Sequence, residues 1–414
     1  YYKEKKLDNP SEDISEAKSG VDITLNLDGN KSDNEFIMNL EAVKLLQEIN
    51  ADKTIGDKRI GLVACNTHQG GGKAKIVLVS EENGSVLPDM QKMFNFQSKT
   101  EVILRGSWTW NKVIATNNIA KFINEGTISI AGTEVGTKWD ENINDQTDVD
   151  NALNGVINVN TVTNWKTANL SNLGRIYINP GNELRVNAAD LTNNATDNAV
   201  DNYDNVGRIY NYGVLGTVDG TNAYIYNYGG YIKNNEGAKT YITRNEVNNA
   251  SFSYGFASSG NYLGTIELST ATDNVSVSNA TDKGFIKYTW DGTEDGKYVT
   301  PSDDVKYNYL IVTKNIEFTE TEPEILYIEV AGPSEVVITN KTAADGGFAT
   351  ANNRLQGFIM KAGTKANIKE GNRICSMAAY LKGTLYLGGE FYYNGDLQTY
   401  FGGELSDKNN IIRQ

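Results

Sequence analysis

The sequence is poor in histidine and cysteine, the side chains of much transition-metal and redox chemistry. It holds one histidine, His68, which excludes a metal centre built on two or three histidines of one chain. It holds two cysteines, Cys65 and Cys375, too few to staple a secreted scaffold and without metal-ligand spacing. Both are expected as buried free thiols. No stretch of 18 apolar residues occurs, so no membrane-spanning helix is expected. The sequence opens at Tyr1 with neither Met nor a signal h-region, which reads as a trimmed or processed start. Basic residues number 38 against 52 acidic ones, giving a net charge of -14. With no dense basic cluster to offset it, that charge repels a phosphate backbone, and nucleic acid is excluded as a partner. There are 6 prolines.

What the sequence has in abundance is 51 Asn, 40 Gly and 23 Tyr, a composition suited to many short strands joined by tight bends. The string Ile-Tyr-Asn-Tyr-Gly occurs twice, at Ile209–Gly213 and Ile225–Gly229, 16 residues apart. Generalised to apolar-x-Asn-x-Gly-x-apolar-x-apolar, it recurs from Phe122 through Asn124 and Gly126 to Ile130, and from Leu170 through Asn172 and Gly174 to Ile178. A looser copy surrounds Asn154-Gly155. Alternating apolar positions on both sides of an Asn/Gly bend describe strand, corner, strand. Such a unit cannot bury its inward row alone, but stacked turns can. Antiparallel hairpins would also accept Asn-x-Gly; recurrence of the whole block favours the stack.

The expected fold is therefore mainly β, a single-stranded parallel β-helix with a small N-terminal α/β or capping region. Asn124, Asn172, Asn211 and Asn227 are candidates for a ladder of inward amides, with Asn211 and Asn227 on neighbouring turns. The expected organisation is a flexible tether over 1–20, the α/β or capping region over 21–97, the β-helix over 98–405 and a polar tail over 406–414. Ser32-Asp33-Asn34-Glu35 fits a capping box, and Phe36, Leu40, Val43 and Leu46 share a helical face, so a helix to about Asn50 is expected. Ala195–Asn198, Ala271–Asn274 and Ala280–Gly284 share an Ala-Thr-Asp phrase and read as protruding loops.

Oxygen-rich stretches are the only candidate metal ligands. Asp145, Asp148 and Asp150 crowd one, beside Asp140 and Glu141, and Asp197, Asp201 and Asp204 another. They would suit Ca²⁺, though neither has EF-hand spacing; no other cofactor is expected. His68 beside Gly70-Gly71-Gly72-Lys73 lacks P-loop spacing. A polygalacturonase-like enzyme would want clustered Asp with a His and an Arg-Ile-Lys element, and no Arg-Ile-Lys string occurs, so no catalytic residue is assigned and no enzymatic activity is expected. Aromatic residues offer the better candidate. If Ile209, Asn211, Ile225 and Asn227 face inward, alternation sends Tyr210, Tyr212, Tyr226 and Tyr228 outward in two columns. Flat rings beside amides and carboxylates suit sugars and protein partners.

The Asn/Gly-cornered solenoid, the polar tether, the acidic Asn-rich surface and the missing catalytic set together resemble surface-exposed lipoproteins of Bacteroides-type gut bacteria with pectin-lyase-like right-handed β-helices. The resemblance implies an extracellular or outer-surface location, a lipid anchor in the full precursor on a Cys that this chain lacks, and an adhesin-like role in glycan or host-protein contact. A carbohydrate-active enzyme, either polysaccharide lyase or glycoside hydrolase, and a structural spacer of a surface assembly are the alternatives.

Overall fold

The computed structural model describes residues 24–28, 35–39, 60–65, 75–88, 90, 94–96, 100–116, 119–138, 147–166, 169–187, 190–195, 206–217, 224–246, 264–279, 284–293, 295–299, 306–319, 325–340, 347–350, 353–377, 379–393 and 411–413. Every element among them is a β-strand. The chain divides into two compact units, one of Tyr1–Thr192 with Thr221–Ile225, the other of Asn193–Gly220 with Tyr226–Gln414. Each is a coil of parallel strands, a parallel β-helix.

In the first unit Thr24–Asp28, Ile60–Cys65 and Phe94–Phe96 pair in parallel, as do Glu35–Asn39, Lys75–Val86 and Thr100–Trp110. Parallel pairing thus begins upstream of residue 98. The expected helix is corrected over its first turn: Glu35–Asn39 is a strand in register with Lys75–Val79, and the rest of it lies outside the described residues. An in-register parallel neighbour supplies a run of backbone hydrogen bonds along the segment, which outweighs a capping box worth about 1 kcal/mol. Thr100–Trp110 is long enough to found two columns, pairing through its first half with Ile119–Asn124 and through its second with Thr127–Ile130. From there each turn has three strands, for example Asp148–Asn151, Val156–Val159 and Val162–Lys166. Their inward positions are buried and their outward ones largely half-exposed, as a period of two requires. Trp110 anchors this core, with Phe122 at 6.1 Å and Trp165 edge-on at 5.2 Å.

In the second unit Arg208–Asn211, Tyr231–Asn234, Thr265–Leu268, Phe285–Trp290, Tyr309–Val312, Tyr327–Val330 and Gly357–Met360 follow one another in parallel. A second column runs from Lys297–Tyr298 through Ile316–Phe318 and Glu335–Asn340 to Lys365–Ile368 and Thr384–Leu387.

Asparagine occupies two kinds of corner. At the first, Asn124, Asn151 and Asn172 are fully buried and directly opposed. Asn124 Nδ2 donates to Asn151 Oδ1 at 2.7 Å, and Asn151 Nδ2 to Asn172 Oδ1 at 2.7 Å. In the second unit Asn193 donates to Asn227 and Asn227 to Asn245, each at 2.8 Å. These rungs are 27, 21, 34 and 18 residues apart along the chain, so insertions lengthen the loops without moving the corner.

Asn211 belongs to the other corner. It stands opposite Asn234 and donates to Asn234 Oδ1 at 3.4 Å and to Thr240 Oγ1 at 2.9 Å. The expected contact between Asn211 and Asn227 is therefore corrected: a step of 16 residues carries the chain from one strand column to another, short of a full turn. The second ladder ends at Asp273, which accepts from Asn234 Nδ2 at 3.2 Å, Ser269 N at 2.8 Å and Thr270 Oγ1 at 2.6 Å. An acceptor suffices where no further rung needs a donor. Asp273 is 6 % exposed and turned into the corner, while Thr272 and Asn274 on either side of it are exposed; most of the Ala195–Asn198 and Ala280–Gly284 phrases lies outside the described residues.

Candidate functional site

In the second unit alternation buries Ile209, Asn211, Ile232 and Asn234 and turns Arg208, Tyr210, Tyr231 and Lys233 outward. The Tyr210 and Tyr231 rings meet edge-on, centroids 6.4 Å apart, an arrangement their quadrupoles favour. Glu267 stands opposite Lys233 on the next strand. Its two oxygens are both engaged, Oε1 accepting from Lys233 Nζ at 2.6 Å and Oε2 from Tyr231 Oη at 2.7 Å.

The chain enters this face around a tight corner. Gly229 has φ 75°, and a Cβ on Gly230 would stand 2.3 Å from Asn193 Nδ2, so ladder and glycine corner require one another. Before the corner Tyr226 and Tyr228 point outward from Ile225–Tyr228, their rings parallel within 3° at 5.4 Å. Arg244, exposed, stands opposite Tyr226 on the next strand. Tyr226 and Tyr228 on one side of the bend, and Tyr231 and Tyr210 on the other, form a belt of rings around it.

Three of the four expected tyrosines thus lie in the belt, half-buried, and Tyr212 does not. Tyr212 sits past the end of Arg208–Asn211, at the other corner, 43 % exposed. The two expected columns are corrected for the same reason as the ladder. Tyr210 faces Lys233 across its pairing and Tyr226 faces Arg244, so Tyr210 and Tyr226 are not register neighbours. Tyr231, after the bend, completes the group instead.

Of the candidate metal ligands, Asp145, Asp197, Asp201 and Asp204, with Asp140 and Glu141, lie outside the described residues, as does His68. Asp148 and Asp150 point outward from Asp148–Asn151. Asp150 accepts from Lys121 Nζ at 2.8 Å. Burial raises the Asp148 carboxyl above the ordinary value, with Lys121 pulling the other way. Among the described residues no three His, Cys, Asp or Glu side chains converge as a metal site. Cys375 is a buried free thiol, raised in pKa first of all by that burial.

A second polar group, which no motif announced, lies farther along the same unit. Glu329 is 3 % and Lys287 5 % exposed. Glu329 accepts from Tyr309 Oη at 2.5 Å and pairs with Lys361 Nζ at 3.1 Å and Lys287 Nζ at 3.6 Å. Lys287 also lies 4.1 Å over the Tyr309 ring, a cation–π contact. Burial alone would raise the Glu329 carboxyl, yet the two ammonium charges and the tyrosine proton together hold it below its ordinary value. The carboxylate is fully satisfied by its own fold, which marks it as a structural knot across Phe285–Trp290, Tyr309–Val312 and Tyr327–Val330 rather than a group awaiting a ligand.

Compared with protein-family models, with curated proteins and with solved structures, the chain gives no significant match.

Proposed function

We propose that the chain is a non-enzymatic, adhesin-like module of the outer cell surface that binds a glycan or a host protein along the outward side of its β-helix. The observation that carries this reading is the belt of Tyr226, Tyr228, Tyr231 and Tyr210 around one glycine corner, with Arg244, Lys233 and Glu267 beside it. Rings and charged groups are held on strands whose inward side chains are locked by two asparagine ladders. Such a surface is ordered before a partner arrives, so little conformational entropy is lost on contact. Tyrosines at that position offer large flat faces and a polar tip, the combination that recognition surfaces favour.

The test is a glycan array and a panel of host extracellular proteins, followed by the double variant Tyr210→Ala/Tyr226→Ala. The expected result is binding by the native chain, weakened about tenfold or more in the variant, with the melting temperature nearly unchanged. A variant that binds every hit as the native chain does would place the site elsewhere. The non-enzymatic part is tested separately, by incubating the protein with plant and host polysaccharides and assaying unsaturated or reducing ends. Steady release of either would overturn it.

A further inference from the structure

Building on that binding role, we infer that the part of the belt formed by Tyr210, Tyr231, Lys233 and Glu267 takes a neutral oligosaccharide of hexopyranose units, in preference to acidic ones. The argument begins with charge. Lys233 and Glu267 neutralise one another at 2.6 Å, and the Glu267 carboxylate is fixed further by Tyr231 at 2.7 Å. A uronate or sialate would bring a second carboxylate against Glu267, and a cationic group would meet Lys233. Either would have to break a pair already formed.

A hydroxyl group does not. It donates and accepts at once, so it can use the lone pairs left on Glu267 while accepting one of the two remaining ammonium protons of Lys233. Both side chains retain about a quarter of their surface to solvent, 25 % and 26 %, enough for a ligand to reach the outer lone pairs without separating the pair. Tyr210 and Tyr231, crossed edge to face, add a ring face for the C–H side of a pyranose beside a ring edge.

Spacing gives the second argument. Arg208–Asn211, Tyr231–Asn234 and Thr265–Leu268 are consecutive parallel strands, so the group spans two strand steps, about 10 Å along the stack. One step is close to the length of a pyranose unit in an extended chain. An oligosaccharide laid along the stacking direction therefore meets Tyr210, then the Tyr231 and Lys233 rung, then Glu267, with one sugar unit at each. The register is rigid because Asn211 and Asn234, on the opposite side of two of these strands, are bonded to one another and to Thr240.

The experiment titrates the protein with neutral tetrasaccharides (gluco-, manno- and galacto-configured) and with oligogalacturonate and sialylated tetrasaccharides. It does so for the native chain and for Tyr210→Ala, Tyr231→Phe and Glu267→Gln, each checked for an unchanged thermal unfolding profile. Binding of at least one neutral series is expected, about tenfold weaker in Tyr210→Ala and several-fold weaker in Glu267→Gln. Little change is expected between about 50 and 500 mM salt, because no net charge is neutralised. Tyr231→Phe, which keeps the ring but frees Glu267 from one partner, should weaken binding less than Tyr210→Ala. Preferential binding of the acidic series, tightened by Glu267→Gln, would overturn the inference and leave the glycan reading standing. Neutral binding that none of the three variants changes would also overturn it, by moving the site. Absence of binding to either series would overturn the inference and the glycan reading together, leaving a protein partner as the remaining form of the proposed function.

Discussion

Replacing Asn151 with alanine should be among the costliest polar substitutions in the first unit. Its side chain is fully buried and makes three hydrogen bonds, accepting from Asn124 at 2.7 Å and donating to Asn172 at 2.7 Å and to Arg175 O at 3.2 Å. Alanine removes all three. It leaves one Asn124 amide proton and the Asn172 oxygen without these partners. Each buried group left unsatisfied costs about 1–3 kcal/mol, so the expected loss for the two is about 2–6 kcal/mol. Because stacked turns contact mainly their neighbours, the loss should be felt locally first. Hydrogen exchange of Leu173 and Gly174, whose amides donate to Asn151 O at 2.9 and 3.1 Å, should accelerate by about two orders of magnitude. The control is Asn179→Ala, which breaks an exposed bond to Asn160 and should cost under about 1 kcal/mol. Asn151→Asp sharpens the test. A buried carboxylate can accept from Asn124 but has nothing to donate to Asn172, so its folded pKa rises above the unfolded one. The variant is then most stable below the unfolded pKa and loses stability as pH rises through the folded one. Equal losses for Asn151→Ala and Asn179→Ala would refute the view that the buried ladder, and not asparagine in general, holds the corner.

Two further substitutions probe the frame. Gly174→Ala would place a Cβ 2.2 Å from Gly155 O and 2.4 Å from Ala152 O, both backbone atoms that cannot turn aside. It should destabilise the first unit by several kcal/mol, whereas Gly181→Ala, with open space but φ 76°, should cost only about 1 kcal/mol of backbone strain; denaturant midpoints distinguish the two. Glu329→Ala removes the buried carboxylate that Lys287 and Lys361 share and should cost about 3–5 kcal/mol. The native Glu329 carboxyl is held below its ordinary 4.5, so its contribution is fully present above that value and is lost as pH falls through the lower folded one. Tyr309→Phe removes one of the groups that lower it, and should move the acid loss of thermal stability to higher pH in a melting series from about pH 7 to about pH 3.

The sequence by itself determined the coil and its inward row. Alternation at a period of two and a bend chemistry of Asn and Gly are local properties, and local patterns survive whatever surrounds them. Asn124, Asn172, Asn211 and Asn227 are buried as their spacing from the flanking apolar residues implied. Tertiary structure decided which corners stack on which. Asn151 is followed by Gly155 rather than by a glycine two residues on, and the glycines nearest their corners in the fold lie far along the sequence from Asn193 and Asn245, at Gly230 and Gly264. No short motif could therefore reveal these rungs, although strand register places Asn151 and Asn245 and the bond to Asn227 places Asn193. The same reason separated Tyr210 from Tyr226 and brought Tyr231 beside Tyr210 instead. It also gathered Lys287, Tyr309, Glu329 and Lys361, from four successive turns, around one buried carboxylate. Loop length varies at little energetic cost, so distance along the chain carries no information about which turn a residue joins. That information resides in the parallel backbone pairing, which only the folded stack possesses.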